Sequence, residues 1–469
     1  MASTSPIKVL EACLVTPPSE SPDSAVEVSL PLTFFDLLWL KFDPVERIFY
    51  YELTDVTPTV FNTEILPKLK HSLSLALLRF LPLAGNLTWP SHAAKPIVLY
   101  TPKDGVSLTV AESDNSAHFD DLSSNEMHDA FLSRPYVPKL STSDVKASII
   151  ALQITLFPNK GFSIGCTTHH AVLDGKSSIL FMKAWAHICK HNSCLLPTEL
   201  IPFLDRTVVQ DPEGIDIEYS NNWSSINQAS GDSNARSLKP FPSREVPPTS
   251  VRETFKFSRE DIKKLRERIL SQLDKVSDKK DTEAIHLSSF AITLSYALVC
   301  LVKARGLKSD ETIMFGIAAD CRARLDPPIP KNYFGNCVFL HVAVLAGSAM
   351  QDDGIVFVAQ KVSEVIKGIE KAALEGAKEK VRKGMAIEPA VIPVGVAGSA
   401  RFEVYGVDFG WGRPKNVEVT SIDRTGAISM AESKGGSGGV EIGLVLKKEV
   451  MEIFENLFVS GLKNMFKIH

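Results

Sequence analysis

The chain contains no uninterrupted apolar run close to the roughly 20 residues that a membrane-spanning helix needs. Its most apolar helix-like stretch, Leu294–Val302, is stopped by Lys303 and Arg305. The start, Met1-Ala-Ser-Thr-Ser-Pro-Ile-Lys8, lacks the charged-then-apolar layout of a secretory leader. Cysteine is sparse for 469 residues: seven, an odd number, scattered at 13, 166, 189, 194, 300, 321 and 337. That pattern excludes a disulfide framework and fits a reducing compartment, so the expected location is cytoplasmic. Net charge is small as well, −4, which leaves no electrostatic footprint for nucleic acid or an anionic membrane. The Asn-x-Ser/Thr triplets at Asn86 and Asn222 are therefore read as chance matches. No short-period repeat is present, which excludes a solenoid.

Hydrophobic residues make up 44% of the chain, enough to fill sizeable cores, and the length suggests two domains of about 200 residues each. Residues 1–205 read as mixed strand and helix. Strands are expected at Lys8–Val15, Ala147–Phe157 and Gly161–His170, and amphipathic helices at Ile65–Phe80 and Ser177–His191. Across 206–250 proline, serine and asparagine accumulate and apolar periodicity fades, which reads as a long surface crossover. A second domain, 251–469, opens with a strand and continues with helices over Arg259–Leu273 and Ser288–Lys303. Further strands are expected at Thr312–Ala318, Phe339–Leu345, Ala427–Glu432 and Val440–Leu446. A segment near 380–400 is a candidate to cross over to the first domain. The glycine-rich run Lys434–Gly439 lacks the Lys-Ser/Thr of a phosphate loop and no helix follows it, so it reads as a hairpin turn.

The most informative stretch is Gly161-Phe-Ser-Ile-Gly-Cys-Thr-Thr-His-His-Ala-Val-Leu-Asp-Gly175. Alternation along a strand puts Phe162, Ile164, Cys166, Thr168 and His170 on one mainly apolar face, and His169 on the other. An imidazole at a strand end, with an ordinary pKa near 6.5, is mostly neutral at cytosolic pH and suited to act as a base. Taken alone, a histidine at a core edge is more often structural, and His169 fits that plainer reading better. Asp174 is either a second catalytic carboxylate or, as turn chemistry favours, a loop anchor. After the strand at 312–318, Arg322 and Arg324 are candidate ion-pair partners for Asp174. The run Tyr405-Gly-Val-Asp-Phe-Gly-Trp-Gly-Arg-Pro414 implies a tight turn, structural or a wall of the site. His187, Cys189, His191 and Cys194 suggest zinc only at first sight, because on a helix Cys189 points away from the two histidines. No metal site is expected.

Two motifs then stand out in order: His170-Ala-Val-Leu-Asp174-Gly175 matches HxxxD, and Asp408-Phe409-Gly410-Trp411-Gly412 matches DFGWG. The chain resembles the plant BAHD acyltransferases. Tyr333-Phe334-Gly335-Asn336-Cys337, Leu32-Thr-Phe-Phe-Asp36 and Leu81-Pro-Leu-Ala-Gly85 resemble the branch that acylates flavonoid and phenolic glycosides. The resemblance implies an α/β fold of two similar mixed-sheet domains of chloramphenicol acetyltransferase-like type, with a solvent channel between them. It implies His170 as general base, direct transfer from an acyl-CoA without an acyl-enzyme, and Asp174 and Asp408 as structural support. CoA contacts are expected near Lys263, Lys264, Ser288 and Ser289. Lys176 is the candidate cation for a malonyl carboxylate, and Trp411 N–H a possible indirect donor to the oxyanion. No permanently bound cofactor is implied, only malonyl-CoA as co-substrate, and the expected state is a monomer. The leading expectation is a malonyltransferase acting on phenolic or flavonoid glucosides. Alternatives are a hydroxycinnamoyl-CoA-dependent acyltransferase of the same glycosides, a non-catalytic phenolic-ligand-binding relative, and a zinc hydrolase.

Overall fold

The structure is a computed structural model describing residues 6–464, apart from 20, 114, 116, 230–235, 277–284, 309–310, 347–353 and 383–390. Two mixed sheets carry the fold. The first has six strands in the order Ile7–Val15, Val106–Ser113, Ile150–Phe157, Gly161–Thr168, Val45–Glu52 and Asn416–Val419. The second has seven: Val338–Ala346, Thr312–Asp320, Val391–Gly398, Ile428–Glu432, Val440–Lys447, Ser250–Phe257 and His128–Asp129. A small four-stranded sheet, built from Val28–Pro31, Ile97–Tyr100, Asn86–Thr88 and Lys146–Ser148, belongs to the first half. The glycine run at 434–439 is a turn between the antiparallel strands Ile428–Glu432 and Val440–Lys447.

Ile150–Phe157 and Gly161–Thr168 are buried at every position, as strands covered on both faces must be. Phe162, Ile164 and Cys166 join the main core with Phe49 and Tyr51, while Ile48 and Tyr50 fill a smaller cluster with Phe119 and Tyr136 on the opposite face. Helix Gly175–His191 covers the main face and packs on helix Leu66–Arg79. The Trp185 indole N–H locks the pair by donating to the Leu69 carbonyl (3.2 Å) and Ser72 Oγ (3.1 Å). This second helix extends an N-terminal run that begins earlier than its apolar spacing suggested, at Pro58, where Thr57 Oγ1 accepts the Val60 N–H.

One expectation needs correcting. The connection over 206–250 is not bare surface chain, because Ile215–Ala229 is a helix. It buries Ile215, Tyr219 and Trp223 at i, i+4 and i+8, and the Trp223 indole donates to the Leu37 carbonyl at 2.7 Å. One buried residue per turn is too thin a stripe to read as an amphipathic pattern. Near 380–400, helix Ala377–Arg382 buries Ala377 and Val381 in the main core, and the Val381 carbonyl accepts from Asn222 Nδ2 of helix Ile215–Ala229, whereas Val391–Gly398 stays inside the second sheet between Thr312–Asp320 and Ile428–Glu432. Asn416–Val419 reaches the first sheet itself, pairing with Val45–Glu52. His128–Asp129 makes the reverse exchange onto Ser250–Phe257.

A buried ion pair fastens these exchanged strands. Arg252 of the second sheet meets Glu418 of the first at 2.5 Å, and its other nitrogens donate to the Val419 and Thr420 carbonyls, both at 2.9 Å. Ser133 Oγ donates to the same carboxylate oxygen at 2.6 Å. Removing one member of such a pair strands the other charge. Arg252→Met is expected to cost about 3–5 kcal/mol of stability in denaturant titration, and an unchanged midpoint would show that the latch is not needed.

Candidate active site

Strand Gly161–Thr168 ends at Thr168, and the chain then turns through His169 and His170 to Asp174. His169 faces inward; its Nδ1 accepts the Ala171 N–H and its carbonyl accepts the Val172 N–H. His170 is half-buried. The Trp39 ring lies flat against its imidazole, centroids 4.0 Å apart and planes 2° from parallel, and Phe42 stands edge-on. Nδ1 is enclosed without a hydrogen-bond partner, whereas Nε2 lies outside that enclosure. Loss of water around the ring pushes its pKa down to about 4, against weaker opposing effects of its own carbonyl and Asp174. The imidazole is therefore neutral throughout the physiological range.

The turn is held from below by Asp174. One carboxylate oxygen caps helix Gly175–His191 by accepting the Ser177 N–H at 2.8 Å. The other takes the Cys337 N–H at 3.1 Å and pairs with Arg322 at 2.8 Å. Arg322 is 1% exposed and also donates to the Tyr333 and Gly335 carbonyls and to Asp320. Arg324 does not reach Asp174; its guanidinium turns back to the Asp320 carbonyl.

The segment Tyr333–Cys337 threads between these parts. Asn336 Nδ2 donates to the His170 carbonyl at 2.9 Å and to Asp36 Oδ1 at 3.0 Å. Asp36 is fully buried and also accepts the Asn336 N–H, the Thr33 N–H and hydroxyl, and Arg206 at 3.2 Å. Arg206 donates in turn to the Tyr333 hydroxyl at 2.8 Å. A Cβ added at Gly335 would lie 2.0 Å from Arg206 Nη1, so a side chain there would have to displace that guanidinium from Asp36 and Tyr333. Phe334 packs on Phe80 in the main core. Trp39, Asp36 and Arg206 were not read from the sequence as site residues. The Thr33-x-x-Asp36 spacing of a capping box is the signal that marks Asp36; nothing local marks Arg206.

Other expected residues lie elsewhere or are already engaged. Lys176 pairs with Asp320 at 3.1 Å, and Arg322 holds the same carboxylate. Lys263 and Lys264 face Glu267 and Glu260 on their own helix, at 3.9 and 3.6 Å. Ser288 caps helix Ser289–Ala304 through the Ala291 N–H, which leaves Ser289 as the helix's first residue. Asp408 sits at the far end of helix Gly175–His191, paired with Lys190 at 2.6 Å. Sixteen residues of helix separate Lys190 from Asp174, about 24 Å. Burial would raise the Asp408 pKa, but the Lys190 hydrogen bond and the Gly410 and Gly412 amides outweigh it and hold the carboxylate ionised. Gly410 and Gly412, at φ 107° and 97°, supply backbone angles that side chains disfavour. Trp411 packs on Phe162, at the start of the strand whose end carries His170, with Lys68 over its face. That position removes it as a donor to an oxyanion beside His170. The His187 and His191 rings lie 4.3 Å apart and tilted by 40°, while Cys189 is buried and Cys194 exposed. No group of three or more metal-ligating side chains occurs among the described residues.

The comparisons with known proteins agree with this architecture. A model of the Transferase family matches residues 5–460. The chain belongs to that family, the BAHD acyltransferases, whose members are acyl-CoA-dependent enzymes. It is 43% identical to phenolic glucoside malonyltransferase 1 of Arabidopsis thaliana, over 98% of each chain. It is 40% identical to malonyl-CoA:anthocyanidin 5-O-glucoside-6''-O-malonyltransferase of the same plant, over 98% of this chain and 99% of that one. In fold it is similar to vinorine synthase, with a TM-score of 0.67 and 18% identity over 95% and 96% of the two chains.

Because Asp36 gathers the Thr33, Arg206 and Asn336 groups in a dry site, Asp36→Ala should leave Arg206 unpaired and lower stability by about 3–5 kcal/mol in urea unfolding. Preserved stability would mean that this carboxylate does not organise the turn.

Proposed function

We propose that the protein is an acyl-CoA-dependent O-acyltransferase. In this reading it moves malonyl from malonyl-CoA to a sugar hydroxyl, the 6-position, of phenolic or flavonoid glucosides. The observation that carries the chemistry is the His170 imidazole: neutral, half-buried with Nδ1 enclosed, and fixed through its carbonyl and the Asp174 turn. His170 Nε2 takes the acceptor hydroxyl proton as the oxygen attacks the thioester carbonyl. The C–S bond then breaks, and the CoA sulfur leaves with that proton returned from the imidazolium. No acyl-enzyme is needed. Burial supports this by pushing the Cys166 and Cys321 thiols up to about 12, far from a reactive thiolate. Trp39 and Phe42 offer an aromatic wall for a phenolic ring beside the base.

Donor and acceptor are inferred from the relatives named above. The reading involves no permanently bound cofactor. It places the enzyme in the cytosol as a monomer; among the described residues no helix is long and apolar enough to cross a membrane, and all seven cysteines are free.

Incubating the pure protein with malonyl-CoA or a hydroxycinnamoyl-CoA and a panel of phenolic glucosides, with products read by mass, tests the assignment. A malonylated glucoside is expected, and a hydroxycinnamoylated product alone would overturn the donor. His170→Ala should retain the wild-type circular dichroism and lose about 10²–10⁴-fold in kcat; full turnover would remove His170 from the mechanism. The pH dependence has a defined sign. Since the folded imidazole gives up its proton near 4, kcat/KM should hold down to pH 5 and fall only as the ring protonates. The folded state also binds fewer protons than the unfolded chain between about 4 and 6.5, so stability linked to this ring declines as pH falls through that window. An acid limb at pH 6.5 or above would contradict the desolvated ring.

A further inference from the structure

The proposed donor carries a free carboxylate, and a carboxylate drawn into the junction between the two sheets requires a cation there. Lys176 is tied to Asp320. A different cation is left over. Arg47 lies on strand Val45–Glu52 opposite Cys166, with Val45 opposite Thr168. Cross-strand partners project to the same face, so Arg47 emerges on the face that carries Cys166, two residues before the strand ends at Thr168 and the chain turns to His170. Its side chain is 6% exposed. Among the described residues no hydrogen bond or ion pair satisfies its guanidinium, and Nε is enclosed without a partner.

The Glu432 carboxylate acts on Arg47 electrostatically, but without a hydrogen bond or a close ion pair the guanidinium keeps donors unused, which is unusual for a buried charge. Arg47 lines a small cavity of about 30 Å³ between the two sheets. Val417 and Val419 close it from the first sheet; Thr254, Ser429 and Met430 close it from the second. Phe402 forms another wall and also packs on the catalytic turn, since a Cβ added at Gly175 would lie 2.6 Å from its ring. The pocket thus abuts the loop that carries His170 and Asp174. Glu441, the acid on its lining, is already engaged by the Tyr405 hydroxyl at 2.7 Å.

We propose that Arg47 is the specificity residue for the donor, its guanidinium receiving the free carboxylate of the malonyl group in this pocket. The assignment rests on the malonyltransferase reading above. The planar fork of arginine can bind a carboxylate through two parallel hydrogen bonds, which an uncharged acyl chain cannot exploit.

The test compares malonyl-CoA with acetyl-CoA, which share the CoA moiety and differ in the carboxylate. In Arg47→Met the ratio of kcat/KM for malonyl-CoA to that for acetyl-CoA should fall about 30-fold or more, with Arg47→Lys intermediate. An unchanged ratio, whether both activities fall together or neither does, overturns the proposal. If Arg47→Met does not fold, the wild type and Arg47→Lys decide the matter. Free malonate should inhibit the wild type competitively against malonyl-CoA and the lysine variant more weakly; equal inhibition counts against Arg47. A wild type that transfers acetyl but no malonyl sinks the function itself and this inference with it. An active wild type with an unchanged variant ratio overturns only the role of Arg47.

Discussion

The buried contact between Asp174 and Arg322 is the constraint around which the rest is arranged. The carboxylate comes from the first half of the chain and the guanidinium from the second, and both are almost wholly removed from water. Neither charge is tolerable alone in that setting, so the halves are obliged to meet at this point. The same carboxylate caps the helix that follows the histidine turn. One side chain therefore sets the turn, the start of a long helix and the seating of the opposite sheet. His170 lies four residues before it and inherits that rigidity.

A second layer fixes the imidazole from above. Asn336 holds the His170 carbonyl and is itself held by Asp36, while Trp39, three residues beyond Asp36, covers the ring. The opening segment of the chain, the histidine turn and the Tyr333–Cys337 run form one hydrogen-bonded body although some 300 residues separate Asp36 from Asn336. Position matters here because a base contributes only when its lone pair meets the proton at hydrogen-bond distance.

Much of this was legible in the sequence for local reasons. The strand into His170 announces itself by an apolar face and a turn, and the helix after it by its periodicity. Asp174 beside glycine reads as turn chemistry, which its capping of Ser177 displays. What stayed hidden is non-local. The strand Val45–Glu52, a mix of charged, aliphatic and aromatic residues, shows no simple alternation because both its faces are packed. Asn416–Val419 is too short to register at all, and its pairing with that strand depends on a partner hundreds of residues away. Trp39 and Asp36 sit in a segment whose importance arises only from what lands on it. Lys176 is a candidate on charge and position, and a charge pattern does not disclose that it is paired with Asp320.

The exchanged strand has a consequence for how the molecule comes into being. Lys415, at the mouth of that strand, bonds to Glu52 across 363 residues. During synthesis the first sheet therefore waits with a bare edge until nearly the whole polypeptide has left the ribosome. Long-range pairing of this kind is slow, and an unpaired edge invites association with other chains. The amino-terminal half by itself lacks the last strand of its own sheet, and truncation before residue 416 leaves Val45–Glu52 as the open flank.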